Sequence, residues 1–192
     1  MAKKQKKKSR TGKIVLLLFF IGMVALLFAL FRREIVYTLR PFLERLDLVR
    51  ERKEIVLYFS DRDGEYLIGE KRKIIRKGAL QEEAKEVVDE LINGPKGKLI
   101  PTLPSHTKCL TFKIDERGTV FVNFNRALLK DHPGGSSAEI LTTYSIVNSL
   151  TQNFPEIKRV QILVEGKPID TIAGHLSLRR PISSNPNLIK RQ

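Results

Sequence analysis

The chain is poor in cysteine, has no charge in its longest apolar run and no acid in its first thirteen residues. One cysteine in 192 residues, Cys109, cannot make an internal disulfide, so a folded part must be stable through its core alone. Cys109 is also far from the place just after an apolar run where a lipoprotein needs a cysteine. The three histidines, His106, His132 and His175, include no pair at H-x-x-x-H spacing, which leaves no metal motif of that kind. The sequence around Ser136, GGSSA, is not G-x-S-x-G. Gly94-Pro-Lys-Gly97 lacks the Ser or Thr that would complete a phosphate-binding loop. Asp61 and Asp63 in a D-x-D-G turn could hold a cation, but such a sequence is usually only a turn. Cofactors are therefore not expected, and no catalytic set stands out.

What is present begins with Ile14 to Phe31, eighteen residues without a charge. At about 1.5 Å per residue the run is roughly 27 Å long, close to the hydrocarbon thickness of a bilayer. Backbone in lipid must satisfy its own hydrogen bonds, which predicts a helix. A soluble core helix would show a polar face, and this run has none. A cleaved signal would be shorter and end in small residues, whereas this run ends Leu30, Phe31, Arg32, Arg33. An uncleaved anchor follows. Residues 1–13 carry Lys3, Lys4, Lys6, Lys7, Lys8, Arg10 and Lys13 and read as a basic cytoplasmic tail. The following flank mixes Arg32, Arg33, Arg40 and Arg45 with Glu34, Glu44 and Asp47. The asymmetry predicts the N-terminus inside and the rest outside the cytoplasm.

The net charge of +14 suggests nucleic acid until it is mapped. Residues 54–180 hold nineteen basic and seventeen acidic residues, so the globular part is almost neutral and no nucleic-acid partner is expected. The excess belongs to the membrane end, where anionic lipid is the natural contact.

Residues 32–53 carry Ile35, Leu39, Phe42, Leu43, Leu46 and Val49 at helical spacing and read as an amphipathic stalk that Pro41 kinks or restarts. The domain is expected over 54–180, with 181–192 a loose tail. Ile55–Phe59 reads as a buried strand, and Glu65–Gly69 and Arg72–Lys77 as two short ones. Gln81–Ile92 reads as a helix that Gly94-Pro95 ends. Cys109–Ile114 and Thr119–Asn123 form a hairpin, and Arg126–Leu129 a helical turn. Ser136-Ser-Ala-Glu139 has capping-box spacing and opens a helix to about Asn153. Arg159–Val164 is a strand, with Pro168–Ile172 able to pair back. This order predicts an α+β domain: a two-layer mixed sheet with two helices packed on one face.

VLYF-x-D-x-x-G-x-Y-L (56–67), LINGPKG (91–97), LIPTLP (99–104), TVFVNFN (119–125), GGSSAEILTTYSIVNSLTQ (134–152) and VQILVEGKPIDTIAGHLSL (160–178) together resemble the GerMN domain, the GerM-type module of sporulation and spore germination. The resemblance implies an extracytoplasmic module, tied to the membrane, that supports envelope processes and is related in fold to ring-building modules. It implies no catalytic residues. Expected partners are the membrane, an envelope protein or peptidoglycan, and, in the homo-oligomer reading, further copies of the chain. The surface singled out is the loop from Lys96 and Lys98 through Leu99, Ile100 and Leu103, whose aliphatics must enter the core or meet a partner. His175 stands out as a structural or site histidine: an imidazole fixing a loop backbone or, in the alternative reading of an envelope hydrolase, a catalytic group with an acid such as Asp170.

Overall fold

The computed structural model describes residues 10–45 and 51–190, which fall into two units dividing at residue 50. The first is one helix, α1, Arg10–Arg45. Its stretch Ile14–Phe31 has a mean hydropathy of 3.1 and none of it is buried, so it is long and apolar enough to cross a membrane. α1 runs through Pro41 without a break, where a kink or restart was expected. The stalk stripe at Leu46 and Val49, most of the basic tail and residues 191–192 lie outside the described residues.

The second unit orders its elements as β1 (Arg52–Ser60), β2 (Leu67–Ile75), α2 (Leu80–Ile92), β3 (Cys109–Ile114), β4 (Thr119–Phe124), α3 (Ala127–Lys130), α4 (Ser136–Asn153), β5 (Arg159–Val164), β6 (Lys167–Pro168) and β7 (Ile182–Ser183), then a 3-10 turn over Pro186–Leu188. The α+β class stands, as does the mixed sheet: β4 pairs β3 antiparallel and β5 parallel, and β5 continues to β6 and β7. β1 and β2, however, form a two-stranded ribbon of their own, and β2 is one unbroken strand where two were expected.

The ribbon is attached to the rest by a device that alternation of apolar residues does not reveal. A strand edge needs partners for its N–H and C=O groups. On the outer edge of β1 those partners are side chains of α4. Asn153 accepts from Val56 N–H (2.9 Å) through Oδ1 and donates to Val56 C=O (2.6 Å) through Nδ2. Ser149 Oγ accepts from Tyr58 N–H (3.0 Å), and Ser145 Oγ donates to Tyr58 C=O (2.6 Å). Ser145, Ser149 and Asn153 recur every four residues, so they form one stripe along the helix. That stripe takes the place of a third strand.

Beneath it lies one core. Ile55, Leu57 and Phe59 of β1 meet Val87, Val88 and Leu91 of α2 and Val147 and Leu150 of α4, all buried, together with Val120, Val122, Val160 and Ile162 of the larger sheet. The hairpin turn before β4 needs Gly118, at φ +73°, because a Cβ there would stand 2.2 Å from the Glu156 carbonyl oxygen.

The segment after residue 180 is no loose tail up to Lys190. Ile182 and Ser183 pair with Val160 and Arg159 of β5. The wholly buried Asn148 donates to Asn185 C=O and accepts its N–H, both at 3.0 Å. Lys190 N–H then donates to Leu67 C=O (2.9 Å). A polar side chain inside the core is stable only with such partners, and sequence spacing does not announce partners 37 residues away.

Two expectations follow for the full chain in detergent. Asn153→Ala strands the N–H and C=O of Val56 and lowers unfolding stability by about 2–3 kcal/mol, read from the urea midpoint. Val87→Asp and Val147→Asp each place an unpaired charge in the core and cost several kcal/mol, seen as loss of the cooperative thermal transition.

Candidate interaction site

The loop after α2 is held from below by a buried cation. The Arg72 side chain is 3% exposed and reaches Glu70 Oε1 (2.6 Å), Glu90 Oε2 (2.7 Å) and the Gly94 carbonyl (2.7 Å). Glu70 in turn accepts the N–H groups of Lys96 (3.1 Å) and Gly97 (3.1 Å). Burial works to raise the Glu70 carboxyl, but these amides and Arg72 outweigh it and hold it below the usual carboxylate range. The backbone of Gly94–Gly97 is thus fixed while Lys96 and Lys98 stay exposed.

The next residues divide the expected surface. Leu103 is 5% exposed and belongs to the core, and Leu99 packs partly against it. Ile100 stays 45% exposed even though its backbone is fixed, exchanging N–H and C=O with Ser60 (2.9 and 3.1 Å) as a one-residue extension of the β1 edge. Thr102 is fastened to α4: its hydroxyl lies 2.6 Å from Ser145 Oγ and its carbonyl accepts from Thr142 Oγ1 at 2.6 Å. Thr142 Oγ1 also meets His132 Nε2 (3.1 Å), and His132 Nδ1 accepts from Gly134 N–H (3.0 Å). Burial pushes the His132 imidazole below its ordinary value, which suits this neutral, bridging role.

Between these fastened segments lies a groove of about 490 Å³, lined by Ile100, Pro101, Leu103 and Pro104 on one wall and by Pro133, Ala138 and Leu141 on the other, with Asp63 also in the lining. It collects Ile100 and Leu103 from the expected surface. Lys96, Lys98 and Leu99 are not in its lining.

His175 is neither buried nor bonded only to backbone. Its side chain is 47% exposed, and Nδ1 lies 3.2 Å from Glu139 Oε2. Glu139 is wholly buried and accepts the N–H groups of Ile172 (2.8 Å) and His175 (2.7 Å). Burial alone would raise its carboxyl, but the amides of Ala173, His175 and Ile172, joined by the imidazole, hold it below the usual range. This corrects the capping box. The N-cap of α4 is Gly135 with no side-chain cap, Ser136 is already in the helix, and Glu139 points to the 172–175 loop. Asp170, the expected acid for a hydrolase, is exposed and bound by Arg179 (2.8 and 3.0 Å). His106 meets Asp131 (3.2 Å) at the surface. Asp61 Oδ1 accepts the N–H groups of Glu65 and Tyr66 and so closes its own turn. The burial of Cys109 raises its thiol to about 11, far from a nucleophile's range. Among the described residues no group of His, Cys, Asp and Glu is arranged to hold a metal ion.

The features define a class: an α+β module with a ribbon fastened to a polar-striped helix, following an apolar helix long enough to cross a membrane. The model of the Germane family, described as sporulation and spore germination, matches residues 56–170, more than half of the sequence, and the chain belongs to that family. Among solved structures it is similar to a Clostridium perfringens protein provisionally described as a lipoprotein, at 28% identity and TM-score 0.51, covering 72% of this chain and 93% of that one. It is also similar to the first GerMN domain of the sporulation protein GerM from Bacillus subtilis (20% identity, TM-score 0.50, 69% of this chain, 96% of that one). The tandem GerMN domains of the same protein match at 19% identity and TM-score 0.50 over 70% of this chain, which spans about half of that longer chain, 46%. The two Bacillus matches show likeness of fold. A comparison with curated proteins finds no match.

The Glu139 carboxylate gives a pH expectation. A carboxyl lowered in the folded state contributes stability above its unfolded value and loses it as pH falls through its folded value. Melting temperature should therefore fall on acidification from about pH 5 downward. Glu139→Gln, melted between pH 7 and pH 3, should be less stable at neutral pH and flatter in this range.

Proposed function

We propose that the chain is a non-catalytic, single-pass envelope protein whose Germane domain acts by contact: it binds an envelope protein or peptidoglycan, or assembles with its own copies. The observation that carries this reading is the groove beside Ile100. A large aliphatic is kept exposed on a backbone bonded to Ser60, next to Thr102 held by two hydroxyls. Such rigidity suits recognition, since little order has to be gained on docking. The family description connects the domain to sporulation and spore germination, and the proposed role lies in processes of that kind.

The proposed topology puts the N-terminus in the cytoplasm and the domain outside, on the evidence of the basic flank. A reporter active only outside the cytoplasm belongs after Lys190, because residues 182–190 are part of the fold. It should be active there and silent at residue 10, and the reverse pattern would reject the envelope assignment.

A second reading draws on the Glu139–His175 pair, in which a carboxylate orients a half-exposed imidazole. The two readings separate experimentally. Ile100→Glu should leave the melting temperature nearly unchanged, as surface substitutions usually move stability by under about 0.5 kcal/mol, and should abolish the wild-type crosslinks formed in intact cells. Lys96→Glu with Lys98→Glu should weaken those crosslinks. Wild-type crosslinking in these folded variants, together with a wall-hydrolase activity that His175→Ala removes, would replace contact by catalysis.

A further inference from the structure

The free edge of β2 is a second surface, separate from the groove. In an antiparallel pair, residues directly opposite either both bond across the ladder or both turn away. Val56 and Tyr58 give their N–H and C=O groups to α4, so their register partners Lys71 and Gly69 turn theirs to the opposite edge. Lys73, opposite Glu54, has the same phase. Both ends of this edge are occupied: Leu67 C=O accepts from Lys190 N–H (2.9 Å), and Ile75 N–H donates to Glu86 (3.4 Å). Between them the outward groups of Gly69, Lys71 and Lys73 have no partner among the described residues. At its Leu67 end the edge already carries one bridge of this kind, with Ile189 lying parallel to Leu67.

The face beside the edge is shaped as well. A depression of about 480 Å³ is lined by Val56, Tyr58, Gly69, Glu70, Lys71, Ile189 and Lys190, and the Glu70 carboxylate is already engaged by Arg72 and the amides of Lys96 and Gly97. Gly69 keeps it open and keeps β1 close, since a Cβ there would stand 2.8 Å from Val56 Cγ1. Three lysines mark the surface: Lys71, Lys73 and Lys190. Lys71 pairs with Glu54 (2.9 Å), but both side chains are more than half exposed, so the pair is weak and exchangeable. Lys190 Nζ is 3.7 Å from Asp61. Lys73 makes no ion pair among the described residues. Edge lysines guard a sheet against its own copies, because two such edges would bring lysine against lysine. The same lysines favour an acidic strand.

We propose that the β2 edge from Gly69 to Lys73 accepts an extended acidic segment of a partner protein as an added strand. Backbone pairing supplies the register, Lys71 and Lys73 select the charge, and the depression at Gly69 receives an apolar side chain that alternates with the acids.

The test titrates two labelled octapeptides, alternating valine–glutamate and valine–lysine, against the full chain in neutral detergent, with anisotropy and amide exchange as readouts. The acidic peptide should bind in preference and slow exchange at Gly69, Lys71 and Lys73. Lys71→Pro removes a donor that faces away from β1, a place where a strand tolerates proline, and should weaken binding about tenfold, the worth of one lost hydrogen bond. Lys71→Glu with Lys73→Glu should reverse the peptide preference, and this variant decides the matter if the proline variant does not fold. Equal binding of both peptides, unchanged exchange at the three amides, or wild-type binding by folded Lys71→Pro would overturn the proposal. Self-association that Lys71→Pro abolishes would also overturn it, by giving the edge to a second copy.

Discussion

The structure depends on a helix that serves as a strand. β1 and β2 are too few to stand alone, since a two-stranded ribbon is marginal in water. The Ser145–Ser149–Asn153 stripe satisfies β1 along its outer edge while the neighbouring Ile146, Val147 and Leu150 fill the core. α4 is therefore buried on polar and apolar sides together. The hydroxyls and amides of Thr142, Ser145, Asn148, Ser149 and Asn153 are affordable there because each meets a backbone group of fixed geometry. The same helix fastens Thr102 through Ser145 and Thr142, the 172–175 loop through Glu139 and the C-terminal segment through Asn148. Groove, loop and tail are all positioned from one element.

Charge is handled in the same manner. Among the buried ionic groups, Arg72 and Glu139 hold loops rather than each other. Arg72 donates to two carboxylates, Glu70 and Glu90, and to the Gly94 carbonyl, and Glu139 accepts several backbone N–H groups, which compensates the loss of water that burial of an ion entails. The consequence is that the 94–97 and 172–175 loops are fixed by hydrogen bonds, which suits the contact role proposed above. Two faces of different chemistry result: an apolar groove between Ile100 and α4, and a polar strand edge marked by Lys71 and Lys73 on β2.

Much of this was legible along the chain. The eighteen-residue apolar run, the helix α2, the hairpin at Gly118 and the strand β5 are local patterns of period, turn and cap, and periodicity is set by local geometry. The likeness that led to the family rests on the same short motifs. Ile100 and Leu103 were both marked as aliphatics in a proline loop. Their division into one outside and one inside was not readable, because it depends on which of them the assembled core takes in.

What the sequence by itself determined, then, is the class of fold, the order of its elements and the apolar helix ahead of it. Tertiary structure alone decided where the polar residues work. Glu139 stands at capping-box spacing from Ser136, yet its carboxylate is drawn to three amides brought by a loop more than thirty residues away. Asn148 and Asn153 look like solvent-facing helix positions and are instead the partners of distant strands and of the C-terminal segment. The physical reason is that apolar burial follows periodicity within one element, while a buried polar group is placed by a partner that exists only once other elements have packed.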